Sequence, residues 1–167
     1  ISEAMLHSCG ALLHTISPSG VPGVILGTEG YDGKFLPFKG CPHIGETYEQ
    51  AACREIAEET CGIVRVNQVD LWNNFTTKHK HYHMGLIFVD YSILDQFDKV
   101  RSTESRHEFL EQKEITFFPL HNVLEDDAVH NISKISIKFY WDTLWMAANQ
   151  SFPASFSRCQ GVRKEYA

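Results

Sequence analysis

The segment TYEQAACREIAEETC, residues 47–61, reads as a helix with two unlike faces. Thr47 can accept a bond from a first-turn amide, and Gln50, three residues on, can return one, which is a capping box. Gly62 supplies the left-handed residue on which helices stop, so the helix is expected to end at about Thr60 or Cys61. At about 100° per residue, with Glu55 as zero, Glu58 falls near −60° and Glu59 near +40°, so three carboxylates share an arc of roughly 100°. Cys53, Ile56, Ala57 and Thr60 lie on the other side, which can pack against a sheet.

Like charges at i, i+3 and i+4 repel. A helix that only faces water would interleave lysines, and here Arg54 alone flanks the acidic face. A hard divalent cation removes the repulsion, since carboxylate oxygens are preferred ligands of Mg²⁺ and Mn²⁺. Spacing alone also allows a solvated acidic face. The formal net charge of −6 argues against long, nonspecific contacts with RNA or DNA and leaves room for a small basic patch. An acidic protein acting on an anionic substrate needs cations between the two.

The flanking sequence supplies a sheet. Residues 5–16, MLHSCGALLHTI, read as a strand, SPSGVPG at 17–23 as a turn, and 24–27 as a second strand. A glycine-rich connection, GTEGYDGK, and a loop, LPFKGCPHIGE, lead to the helix. Residues 64–77 and 81–93 read as two long strands of a hairpin joined near KHK. Residues 94–113 read as a polar loop with a short helix, 115–120 as a strand, and 121–127 as a turn or short helix. Residues 131–149 have the spacing of one C-terminal helix packed on the sheet, in which Trp141, Trp145 and Met146 would pack. The expected fold class is α/β (α+β): an α/β/α sandwich with a mixed sheet, residues 1–150 forming one domain and 151–167 a tail. Cys9, Cys41, Cys53, Cys61 and Cys159 are odd in number and include no CxxC pair, which favours a reducing, intracellular and cytoplasmic setting over a disulfide scaffold or structural zinc. No apolar run approaches the roughly 20 residues of a membrane helix, so no membrane partner is expected. The chain begins at Ile1, which leaves a removed targeting segment open.

A longer pattern surrounds the acidic helix. In GCPHIGETYEQAACREIAEET, residues 40–60, Gly40 is followed after five residues by Glu46, and after seven more by Arg54, Glu55, Ile56, Ala57, Glu58 and Glu59. This span resembles the Nudix box, and Gly45 before Glu46 is also usual there. Three departures stand out. Cys61 occupies the position where the box ends on glycine and Gly62 follows it, so either the helix is one residue longer or Cys61 is tolerated. His43 replaces a common acidic residue, and LPFKG carries an extra Phe38.

The resemblance implies a Nudix-like sandwich that hydrolyses a diphosphate linkage in a nucleoside diphosphate derivative, a nucleotide or dinucleoside polyphosphate, by attack of water at phosphorus. It implies Mg²⁺, with Mn²⁺ able to substitute, bound by Glu55, Glu58 and Glu59 and by the Gly40 carbonyl, with one of the glutamates as base. Arg54 would orient a glutamate, and Glu46 would act as a support or outer ligand. A distal glutamate before ITFFPL would complete the metal set, Glu111 by spacing, with Glu114 as the other choice. A homodimer is also common in such proteins. The resemblance leaves two other functions open: hydrolysis of an mRNA cap, RNA 5′ end or inositol pyrophosphate, and a catalytically silent nucleotide-binding domain. Silent domains lose box glutamates, whereas Glu46, Glu55, Glu58 and Glu59 are all present.

Substrate-facing candidates are fewer. In KHKHYH, residues 78–83, strand alternation puts His79, His81 and His83 on one face and Lys78, Lys80 and Tyr82 on the other. Lys78, Lys80 and His81 would suit a basic rim for a polyphosphate; a hairpin surface or a zinc site are the alternatives. Lys39, beside Gly40, can meet a phosphate. Trp72 and Phe75, with Tyr31 and Phe35, can stack on a base or fill the core.

Overall fold

The computed structural model describes residues 6–28, 32–102 and 114–149 of the chain. In chain order the elements are β1 (Leu6–Ile16), β2 (Pro22–Thr28), β3 (Phe35–Leu36), β4 (Phe38–Gly40), α1 (Tyr48–Glu59), β5 (Leu71–Thr76), β6 (Lys80–Phe88), α2 (Ile93–Ser102), β7 (Glu114–Pro119), α3 (Leu120–Val123), α4 (Asn131–Phe139) and α5 (Trp141–Ala147).

Strand β1 is the spine of a mixed sheet. It runs parallel to β6 from Leu6 to His14. Its other edge is shared by two antiparallel partners, β4 against Cys9–Ala11 and β2 against Leu13–Ile16. Pro37, between β3 and β4, marks where the chain leaves β2 and joins β1; proline has no amide to donate and suits such a break. β5 extends the sheet beyond β6, and β7 pairs with the far edge of β2.

Alternation along β1 sends Ala11 and Leu13 to one face and Leu12 to the other, and each face has its own core. The first joins them to Ile25, Phe38 and Ile87, with Ile56 of α1 and Ile93 and Phe97 of α2. The second gathers Leu12, Val24 and Leu86 with Val123 of α3, Ile137 of α4 and Leu144 of α5. Burying a side chain of this size contributes about 1.5–3 kcal/mol, so both layers are needed to fix the sheet. The result is the expected three-layer α+β sandwich.

Helix α1 starts as its cap foretells: Thr47 Oγ1 accepts from the Gln50 amide at 3.1 Å and Gln50 Oε1 accepts from the Thr47 amide at 2.9 Å. Its end settles the box departure. Cys61 is itself left-handed, with φ 54°, and Gly62 follows at φ 79°. The chain is tied there by the Gly62 amide, which donates to the Ala57 carbonyl at 2.7 Å, and by Thr60 Oγ1, which donates to the Ile56 carbonyl and accepts from the Val64 amide.

Three expectations need correction. The strand expected over 64–77 begins only at Leu71, because Val64 and Val69 are both buried in the first core as the chain wraps the end of α1. The short helix expected within 94–113 is present as α2, ten residues long, whose Ile93 and Phe97 are one helical turn apart and buried. The helix expected over 131–149 breaks at Tyr140, whose φ and ψ are −104° and 13° and whose buried hydroxyl donates to the Met84 carbonyl at 2.6 Å. Met146, expected to pack, is half exposed, whereas Trp141 and Trp145 meet edge to face beside the second core. The tail at 151–167 lies outside the described residues. Among those described, no helix is long and apolar enough to cross a membrane.

Candidate active site

The acidic face of α1 lies along the outer edge of β4, beside the loop 41–47. Glu59 is buried, and its Oε1 accepts the outward-pointing Lys39 amide of β4 at 3.1 Å. That bond gives a strand-edge amide a side-chain acceptor in place of a neighbouring strand. Glu55 lies directly against Gly40, so closely that a Cβ built on Gly40 would overlap its carboxylate. Glu58 is about half exposed.

Arg54 draws this face and the loop together. Its Nε donates to Glu46 Oε2 at 2.6 Å and one terminal nitrogen to Glu46 Oε1 at 2.9 Å, a two-pronged pairing. The same nitrogen reaches the Cys41 carbonyl at 3.0 Å. The other terminal nitrogen meets Glu55 Oε2 at 3.2 Å and Glu58 Oε1 at 3.1 Å. Glu46 also accepts the His43 amide at 2.7 Å, and Gly45 turns the loop with φ 90°. The bond from Arg54, then that from the His43 amide, holds the Glu46 carboxyl down to about 2. Hydrogen bonding to Glu46 correspondingly raises the Arg54 guanidinium above its ordinary value. Nearby, burial first, and then the proximity of the Cys41 and Glu46 side chains, push the Cys9 thiol up to about 11 and keep it neutral.

Arg54 thus binds three carboxylates, those of Glu46, Glu55 and Glu58, with Glu59 beside them on α1, and its single positive charge balances only one of theirs. Hard oxygen donors of this kind suit Mg²⁺ or Mn²⁺, and a glycine at position 40 lets the backbone come close to Glu55. The carboxylates are turned toward protein donors in this structure, and among the described residues no three His, Cys, Asp or Glu side chains stand in ligand geometry.

The other sequence candidates are dispersed. Glu111 and Tyr31 lie outside the described residues. Glu114 is the exposed first residue of β7. The Lys39 ammonium is 6.0 Å from the centre of the Tyr82 ring. Lys78 is exposed in the β5–β6 turn and Lys80 is half-buried at the start of β6. Trp72 packs on Cys9, Ala51 and Ala52 on the α1 side of the sheet. Phe75 stacks on Tyr82 and Phe139, at 4.9 and 5.5 Å, among residues of the α4 side. One base cannot lie between Trp72 and Phe75. Phe35 is core, edge-on to Phe118. His79 precedes β6, so alternation brings together only His81 and His83 of that trio. His81 meets Thr76 Oγ1 at 3.0 Å and the His7 ring at 5.0 Å. His7 and Tyr48 escaped the sequence reading because only the parallel β1–β6 pairing brings His7 beside His81.

The family model of the NUDIX domain matches residues 24–139. Among solved structures, a mutT/nudix family protein from Listeria innocua superposes with a TM-score of 0.64 at 16% identity, covering 89% of this chain and 100% of its own. An Ap4A hydrolase from C. elegans gives 0.59 at 15% identity, covering 84% of this chain and 99% of its own. The NUDIX domain of NrtR from Shewanella oneidensis, complexed with ADP ribose, gives 0.57 at 16% identity, covering 85% and 90%. At such identities these likenesses establish the fold. No match emerges among curated protein sequences.

Proposed function

The chain belongs to the Nudix family, and from that premise we propose that it is a pyrophosphohydrolase that cuts a diphosphate linkage in a small nucleoside diphosphate derivative, with Mg²⁺ as cofactor and Mn²⁺ as a substitute. The observation that carries this reading is the close approach of Gly40 to Glu55 within a set of three glutamates, Glu46, Glu55 and Glu58, gathered by Arg54. The kinds of ligand named for similar folds, Ap4A and ADP ribose, support the substrate class, since both contain phosphoanhydride bonds.

Glu55, Glu58 and Glu59 would hold the cation together with the Gly40 carbonyl. Once bound, it supplies neutralising charge to the diphosphate and acidifies a coordinated water. Glu55 and Glu58 would exchange their Arg54 bonds to ligate it, while Arg54 keeps its two bonds to Glu46 and so holds the loop. Glu58, the most exposed of the three, would take the proton of the attacking water. Lys39, next to Gly40, would meet a phosphate oxygen; Lys78, Lys80 and His81 would serve a longer phosphate chain, and Trp72 or Phe75 a base, each from its own side of the sheet.

The test is product analysis after incubation with Mg²⁺ and a panel of nucleoside diphosphate derivatives, dinucleoside polyphosphates, inositol pyrophosphates and capped RNA. Turnover of a small nucleotide is expected, and Glu58→Gln should abolish it with an unchanged melting curve. Wild-type rates in that variant would remove Glu58 from the chemistry. Binding without turnover of any member would instead mean a silent domain.

A further inference from the structure

On the α1 side of the sheet lies a pair of imidazoles beneath a tyrosine ring, His7 and His83 under Tyr48, to which the proposed hydrolysis assigns no role. The parallel ladder sets His7 against His81 and Cys9 against His83. His7 Nδ1 and His83 Nε2 are 2.9 Å apart, and His83 Nδ1 is 2.7 Å from the Asn74 side-chain oxygen. The Tyr48 ring stacks on His83, centroids 3.7 Å apart and planes within 13°, and reaches His7 at 5.2 Å. Tyr48 is the first residue of α1.

The bonds fix where the hydrogens sit. An amide oxygen only accepts, so His83 Nδ1 carries its hydrogen. The neutral ring then has a lone pair at Nε2, and His7 donates to it from Nδ1. One added proton goes to His7 Nε2 and disturbs neither bond. A second sets N–H against N–H across the 2.9 Å gap and places two positive charges side by side. The groups facing His83 are His7 and Cys9 from β1, Asn74 from β5, Tyr48 from α1, and His81 on its own strand. Asn74 is uncharged, and the Cys9 thiol is kept neutral by burial. Burial first, then His7 and His81, hold His83 below the usual imidazole value. A base depressed in this way favours folding fully above its ordinary value of about 6.5, and that contribution is lost as pH falls through it. A metal does not explain the cluster, because the facing nitrogens bond each other and no ligand geometry is present among the described residues.

We propose that the His7–His83 pair beneath Tyr48 is a pH-sensitive clamp that positions the first turn of α1, and through it the carboxylates farther along the same helix. The clamp is closed with no more than one added proton and opens with two. His83 is a positioning residue that acts through Tyr48.

Hydrogen exchange on the whole chain tests this without any need for turnover, so its outcome is separate from that of the hydrolase reading. Amides of Ala51, Ala52 and Cys53, corrected for intrinsic rates, would be followed from about pH 7.5 to about pH 5, the range in which imidazoles charge. Their opening should rise about tenfold for each unit of pH below the second protonation. His83→Phe keeps a ring under Tyr48 but cannot titrate, and its protection should stay flat. Uniform protection in the wild type, or the same decline in His83→Phe, would overturn the clamp. If the variant does not fold, imidazole proton resonances of the wild type decide: two coupled steps, the second below the ordinary value, are expected, and two independent titrations at that value would refute it. With substrate, kcat of the wild type should decline in the same window at steady KM.

Discussion

Arg54 and Gly40 show how single residues set the site. Gly40 leaves no room for a methyl group between its backbone and the Glu55 carboxylate, so Gly40→Ala must move one or the other. The expected outcome is a fall in kcat of about 100-fold or more, as misplacement near 1 Å can cause, with little change in melting temperature. Steady-state kinetics beside a thermal melt checks it. Glu46 is predicted to keep its bonds to Arg54 in mild acid. Its carboxyl is depressed, so the interaction is complete above the ordinary carboxylate value and fades only as pH falls through it toward about 2. The ¹³C shift of the Glu46 carboxyl should therefore stay that of a carboxylate at about pH 4, where exposed glutamates are already titrating. At this scale the sequence was informative where spacing is local. Glu55, Glu58 and Glu59 share a face because helical geometry dictates it. That Glu59 would serve the Lys39 amide, or that Arg54 would reach back to Glu46 and the Cys41 carbonyl, depends on how loop and strand fold over the helix.

At the level of elements, α1 was legible at both ends because caps are written in a few adjacent residues. Its exit is unusual in placing a cysteine, not a glycine, at φ 54°. A left-handed conformation costs an ordinary residue roughly 1–2 kcal/mol, and more when branched at Cβ. Cys61→Val should therefore lower stability by at least about 1 kcal/mol in urea denaturation, while Cys61→Gly should not. Equal effects of the two would show that the backbone there is not strained. Elements misread from sequence share one cause: apolar residues pack outside regular periods. Val64 and Val69 are buried without belonging to a strand, and Tyr140 breaks a helical pattern by tying its hydroxyl to Met84.

For the molecule as a whole, the layer arrangement followed from one two-faced helix and several alternating strands, but the strand order did not. The parallel β1–β6 pairing and the sharing of one β1 edge by β2 and β4 are long-range choices, and they create the notch where the Glu59 carboxylate meets the β4 edge. The same pairing assembles His7, His81 and His83, which no local pattern brings together. The account of the whole rests on cation binding by the carboxylates of α1. Isothermal titration of Mg²⁺ and of Mn²⁺ into the protein, alone and with a non-hydrolysable diphosphate nucleotide, measures it directly. Saturable uptake by the wild type that is lost in Glu55→Gln is the predicted result; no uptake of either cation, with or without nucleotide, would contradict it.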